Sequence, residues 1–233
     1  MKKMMRIMLA VCLMGAMLLS AAAADGEYTI LRQDFRAYES SGTVYVHGYA
    51  VVQNTGDKPI ERDKTQIDFL NEAGESLLQA TSYMINLKPE TLMPGEYGYL
   101  SSQDWGADLV NPDEITGMSI ILEGKKPSFG AQRYSCEAEW MPDVGVDKWF
   151  THDYMVARVT NDTDETLYGL TSVLALTDAE GRILYIIGES VNGNIGIPPG
   201  GSIIIRRQIA EDITEGYQPE DLKVDAIAYK ITY

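Results

Sequence analysis

The chain has 233 residues, with 34 Asp and Glu against 19 Lys and Arg, a formal net charge of −15, two histidines and two cysteines. So acidic a surface repels phosphate backbones and anionic lipids, which argues against nucleic-acid or membrane-surface partners. With so few His and Cys, neither a zinc or redox-metal site nor a disulfide framework is expected, and no cofactor is implied.

Residues 1–24 are expected to be a signal peptide. Lys2, Lys3 and Arg6 form a basic start, residues 7–19 are apolar, and Ser20-Ala21-Ala22-Ala23-Ala24 offers small residues for cleavage. The run falls short of the ~20 residues of a membrane span. Val11 sits where a lipoprotein site before Cys12 wants a small residue, so cleavage near Ala24 is the better reading. Cleavage removes three basic residues and no acids, leaving 16 against 34 and a net charge of −18. The mature chain is expected to be secreted or periplasmic, with no membrane insertion after signal removal.

Residues 43–52 alternate strictly: Val44, Val46, Gly48, Ala50 and Val52 on one face, Tyr45, His47, Tyr49 and Val51 on the other. The small residues of the first set predict an interior where a facing sheet comes close. Asn54-Thr55-Gly56-Asp57 supplies turn chemistry, Ile67 and Phe69 share a strand face, and Asn71-Glu72-Ala73-Gly74 reads as a hairpin turn. Apolar Leu77-Leu78, the turn Met93-Pro94-Gly95-Glu96, an acidic stretch over 103–114 with room for a single helical turn, and a strand over 117–122 complete this unit.

The plan then returns 107 positions later. Asn54, Asp57, Gly74 and Leu77 recur as Asn161, Asp164, Gly181 and Leu184, and Asn111-Pro112-Asp113-Glu114-Ile115 recurs as Gln218-Pro219-Glu220-Asp221-Leu222. Pro94-Gly95 matches Pro199-Gly200, two residues early. Several short strands with turns every ~8–12 residues, written twice, predict an all-β protein: two tandem immunoglobulin-like antiparallel β-sandwich domains after the signal peptide. Domain 1 is expected over 25–123 and domain 2 over 133–233. The Gly/Pro/Lys-rich interval 124–132 is the expected linker. Cys136, the one thiol left after cleavage, alternates with Ser135 and Glu137 and belongs to the apolar side of a strand, where it acts as a small hydrophobe.

The string Gly48-Tyr49-Ala50-Val51-Val52-Gln53-Asn54-Thr55-Gly56-Asp57-Lys58-Pro59-Ile60, then Phe69-Leu70-Asn71-Glu72-Ala73-Gly74 and Pro94-Gly95, resembles the FxLYD-type domain of exported bacterial proteins and related immunoglobulin-like families. Copy two follows through Val159-Thr160-Asn161-Asp162-Thr163-Asp164, Leu176-Thr177-Asp178-Ala179-Glu180-Gly181 and Pro199-Gly200. It departs at the name-giving motif, where Asn71 replaces the aspartate and Leu176-Thr177 the aromatic pair. The resemblance implies a sandwich with a non-enzymatic role at the cell envelope, and no particular ligand.

Catalytic patterns are missing from the sequence. His47 and His152 fall in different copies, and Gly188-Glu189-Ser190-Val191-Asn192 lacks the second glycine of a nucleophile elbow. Glu137 and Glu139, about 7 Å apart on one strand, have the spacing of a glycosidase pair but are expected on a solvated face, as are Asp162, Asp164 and Glu165 in their turn. No metal site and no enzyme are expected. The candidate binding residues are aromatic: Tyr45, His47 and Tyr49 at strand spacing, with His152 and Tyr154 as the second copy's counterparts of Tyr45 and His47. Such rings stack on sugars or anchor a protein, unless a strand, a loop or the other copy covers them. The expected function is a non-catalytic interaction module of the envelope or secretome that binds a protein or polysaccharide partner through sheet faces. An accessory spacer pair without a ligand, and a hydrolase with an unrecognised carboxylate constellation, are the alternatives.

Overall fold

The computed structural model describes residues 27–80, 82–106, 111–145, 151–191 and 195–233. The expected signal peptide lies outside the described residues. The first half contains β1 (Tyr28–Ser40), β2 (Thr43–Asn54), β3 (Ile60–Leu70), β4 (Ser76–Gln79), β5 (Asn86–Lys88), β6 (Thr91–Leu92), β7 (Tyr97–Gly106) and β8 (Gly117–Lys125). The second contains β9 (Gly130–Gly145), β10 (Thr151–Thr160), β11 (Leu170–Thr177), β12 (Ile183–Ser190), β13 (Ser202–Ile209) and β14 (Lys223–Thr232). All pairings between these strands are antiparallel.

In the first half one sheet runs β1-β2-β7-β5, and a second is built on β3, with β8 on one side and β4 and β6 on the other. Their inner faces share one core, Val44, Val46, Ala50, Val52 and Leu100 meeting Ile67, Phe69, Ile120 and Leu122. The alternation of residues 43–52 thus sorts as expected. At Gly48 a methyl group would lie 2.8 Å from both Met118 Sδ and Ser102 Oγ, so the facing sheet does come too close for a side chain.

The second half repeats the plan of the six longer strands. β9-β10-β13 corresponds to β1-β2-β7, and β12-β11-β14 to β4-β3-β8. One difference is that β9 serves both layers: residues 130–134 pair with β14 and residues 135–145 with β10. Strand pairing also enters the interval expected as linker from both sides, leaving only residues 126–129 unpaired. That connection is tied to the first half, Ser128 N donating to Glu61 Oε2 at 2.6 Å and Thr91 Oγ1 to the Phe129 carbonyl at 2.9 Å.

The two copies are held by the same buried amide. Asn54 and Asn161 are both 0% exposed. Asn54 Nδ2 donates to the carbonyls of Lys58 (2.8 Å) and Leu92 (2.9 Å), while its Oδ1 accepts from Gly56 N at 3.0 Å. Asn161 does the same with Glu165 and Ile197, both at 2.7 Å, and Thr163 N at 3.1 Å. Each asparagine carbonyl also accepts from the glycine of the Pro-Gly turn, Gly95 or Gly200, at 2.8 Å. A buried amide is tolerated only when so satisfied, which explains why Asn and Pro-Gly recur together despite the two-residue shift.

The hairpin turns repeat too. Asn71 Oδ1 accepts from Glu75 N at 2.9 Å, and Asp178 Oδ1 from Arg182 N at 2.7 Å, with Gly74 (φ +79°) and Gly181 (φ +77°) supplying the left-handed residue. Of the acidic stretch over 103–114, Pro112–Glu114 forms the single helical turn, and residues 107–110 lie outside the described residues. Glu137, Glu139, Asp162, Asp164 and Glu165 are all exposed. Cys136 is half-buried beneath the second half's apolar clusters, and burial, followed by the nearby Asp225 carboxylate, pushes its thiol up to about 11.

Asn161→Ala removes two donors from buried carbonyls and is expected to cost about 2–4 kcal/mol in urea unfolding. Asn161→Asp should be at least as harmful, since a carboxylate would face those same carbonyls. A loss below ~1 kcal/mol for both variants would remove the amide from its structural role. Cys136 in the folded protein should react with iodoacetamide at pH 8 roughly 100-fold more slowly than a free thiol, because its thiolate is scarce. Labelling at the same rate in native and urea-unfolded protein would contradict its burial.

Candidate binding cleft between the two halves

The outer face of β1-β2-β7 carries Arg32, Asp34 and Arg36 on β1, His47, Tyr49 and Val51 on β2, and Tyr97 and Tyr99 on β7. In the structure the second half covers much of this face. Tyr49 and Tyr99 share a buried cluster with Val173, Ala175, Ile186, Ile227 and Tyr229 of β11, β12 and β14. Tyr49 is 2% exposed, which corrects its place in an open aromatic stripe. The cause is hydrophobic: the covering face of the second half is apolar, and a tyrosine ring gains more by burial against it than in water.

Polar groups ring this apolar contact. The hydroxyls of Tyr97, at 2.8 Å, and Tyr99 both donate to Asp225 Oδ2. Arg32 Nη1 donates to the Glu180 carbonyl at 2.9 Å, Ile183 N to Asp34 Oδ2 at 2.9 Å, and Arg36 Nη2 to Asp212 Oδ2 at 2.8 Å. Burial and then the hydrogen bond to Asp225 push the Tyr97 phenol up to about 12 and that of Tyr99 further, so both remain donors. The Arg133 guanidinium lies 5.4 Å from the Tyr97 ring and donates to the Tyr97 carbonyl.

Where the cover ends, a stacked row of rings remains partly open. Tyr38 stacks on Tyr45 at 5.6 Å and on His47 at 5.8 Å, and His47 on Tyr49 at 6.1 Å. The Arg36 guanidinium caps Tyr38 at 4.4 Å. The row borders a cleft of about 300 Å³, lined by His47, Tyr49, Tyr83, Lys88, Tyr99 and Tyr185 among others. Tyr83 is 71% exposed at its mouth. Lys88 reaches across to the second half, where a methyl group on Gly188 would lie 2.7 Å from its Nζ. Burial, helped by the Arg36 charge, lowers His47 to about 4, so at neutral pH its ring is uncharged and 3.4 Å from the Tyr38 hydroxyl. The lining thus combines flat apolar rings with an ammonium and hydroxyls at their edge, the chemistry of a site that orients a ligand.

Of the residues expected to bind, Tyr45, His47 and Tyr49 come together, Tyr49 as a covered wall. His152 and Tyr154 stand elsewhere, on the outer face of β10, their rings 6.5 Å apart and His152 Nδ1 3.2 Å from Gln208 Nε2. Tyr38, Tyr83, Lys88 and Tyr185 are additions. Tyr38 was open to detection: Ser41 (φ 55°) and Gly42 (φ 78°) form a two-residue hairpin loop that sets Tyr38 opposite Tyr45. For Lys88 and Tyr185 no sequence signal exists, because their neighbours come from the opposite half. Among the described residues no group of three or more His, Cys, Asp or Glu could hold a metal ion. Comparison with protein-family models, curated proteins and solved structures gives no match to this chain.

His47 yields a pH prediction. Its unfolded form takes a proton near 6.5 and its folded form only near 4, so its contribution to stability is complete above pH 6.5 and is lost as pH falls from 6.5 to 4. Allowing for a partly solvated ring, the loss is about 1–2 kcal/mol. His47→Gln should flatten that part of the stability–pH curve; an unchanged slope would mean that His47 titrates normally.

Proposed function

We propose that this chain is an exported, non-catalytic interaction module that binds a protein or polysaccharide partner. In this reading residues 1–24 are cleaved, and two like sandwich domains of the FxLYD or immunoglobulin-like kind form the mature protein. The stacked row Tyr38–Tyr45–His47, opening beside the cleft between the halves, carries the reading. Its rings are held in place by a rigid hairpin, so they meet a ligand without paying to order themselves. Tyr83 at the mouth and Lys88 on the wall add an exposed ring and a positive charge to a strongly acidic chain. The recurrence of the Asn54 and Asn161 amides with their Pro-Gly turns supports the family reading, since those motifs are structural in both copies.

The spacer reading rests on a different observation. The hydrogen bonds of Asp34, Arg36 and Asp225 fasten the halves to one another and fit a rigid strut.

The test is a crosslinking capture with the producing organism's envelope and secreted fractions, beside a polysaccharide array. The chain is compared with a Tyr45→Ala, Tyr83→Ala variant that retains the wild-type melting temperature. Capture reduced about ten-fold or more in the variant is expected, since aromatic anchors carry most of such binding. No capture by either protein favours the strut, and equal capture by both places recognition outside the cleft.

A further inference from the structure

The cleft beside Tyr83 differs in charge from the rest of the chain. The sequence holds 34 Asp and Glu, yet among the described residues none of them lines this cleft. Two acids adjoin lining residues, and both are engaged elsewhere. Glu189, next to Gly188, takes Arg207 Nη1 on its Oε1 at 2.7 Å, and Asp225 Oδ2 accepts from the hydroxyls of Tyr97 and Tyr99. Lys88 supplies the positive charge of the lining. Among the described residues no carboxylate forms an ion pair with its ammonium.

The place of this ammonium is built by both halves. β5 sets Lys88 opposite Tyr99 on β7, and the side chain crosses to β12. There Gly188 leaves the room it needs: a methyl group would lie 2.7 Å from Lys88 Nζ and 2.8 Å from its Cδ. A half-buried ammonium without a counter-ion favours an incoming anion. The other polar groups of the lining are neutral. Asn86, Ser101 and Gln103 carry amides and a hydroxyl, which both donate and accept, as sugar hydroxyls do. Tyr83 enters none of the ring stacks of the row, so its exposed ring is free to take the apolar face of a pyranose. A volume of about 300 Å³ is near the low end for ligand sites and suits one sugar residue.

We propose that this cleft takes the terminal hexuronate of a glycan, its single carboxylate on Lys88 Nζ and its pyranose face on Tyr83. One charge is the limit, because a chain of net charge −15 repels a dense polyanion. The inference rests on the cleft being the recognition site, and it names the ligand class of that site.

The test is calorimetric titration of the full chain with short neutral oligosaccharides capped by glucuronate or galacturonate, beside the same sugars with the carboxyl reduced to an alcohol. At least one acidic end is expected to bind about ten-fold or more tightly than its reduced form. Lys88→Gln should bring the two forms to within about two-fold of each other. Gly188→Ala keeps the charge but pushes the ammonium aside, and should also shrink the preference. Lys223→Gln removes an equal charge outside the cleft and should leave it unchanged. Equal melting temperatures confirm that the variants fold. Equal binding of acidic and reduced ends, a preference that survives Lys88→Gln, binding of none of these sugars, or an acidic tetrapeptide bound as tightly as the uronate overturns the proposal. Capture that depends on Tyr45 and Tyr83 without any uronate preference would remove this ligand class and keep the interaction module; absence of both would remove the two together.

Discussion

Two tyrosine hydroxyls converging on one carboxylate oxygen hold the halves of this protein in their arrangement. Asp225 projects from β14 at the solvent-exposed rim of the contact with β7. Tyr97 and Tyr99 donate to its Oδ2 from the opposite half, charge-assisted bonds that fix the carboxylate in one orientation. The contact therefore sets position. With Asp225 seated, Tyr49 is covered, Tyr185 and Gly188 are brought to Lys88, and the cleft acquires its far wall.

Beneath this interface the halves are one design carried by few shared residues. A buried amide that must satisfy two carbonyls and a backbone N–H tolerates no substitute, and the Pro-Gly turn it grips follows from it. Core positions need only volume and apolarity, so Ile67 and Phe69 can become Leu174 and Leu176. Surface positions follow their cover. Val173 and Ala175, under the first half, stand where Gln66 and Asp68 meet water.

That contrast marks what was legible in the sequence. Alternation over 43–52 sorted two faces correctly, because a strand repeats every two residues whatever surrounds it. The turns were legible because Asn, Asp and Gly there answer to their own backbone. Period-two alternation cannot say whether an outer face meets solvent or another sheet, and a tyrosine suits both, so Tyr49 was misplaced. A signal did exist. Val173-Leu174-Ala175-Leu176 is continuously apolar, as in strands buried on both faces, while Gln66-Ile67-Asp68-Phe69 alternates. The three-residue β5 is too short for any pattern.

The covered faces are unlike: β1-β2-β7 of the first half sits on β11-β12-β14 of the second. A contact between unlike faces has no two-fold axis and does not close on itself, so the molecule has a direction, as a stack of cups has. Its two ends differ. One bears Gln66, Asp68 and Glu123 on β3 and β8, with exposed Ile121 opposite Gln66. The other bears Val156, Arg158 and Ile204, at the positions of Tyr49, Val51 and Tyr99. A neighbour arriving at one end would therefore meet a different chemistry from a neighbour arriving at the other.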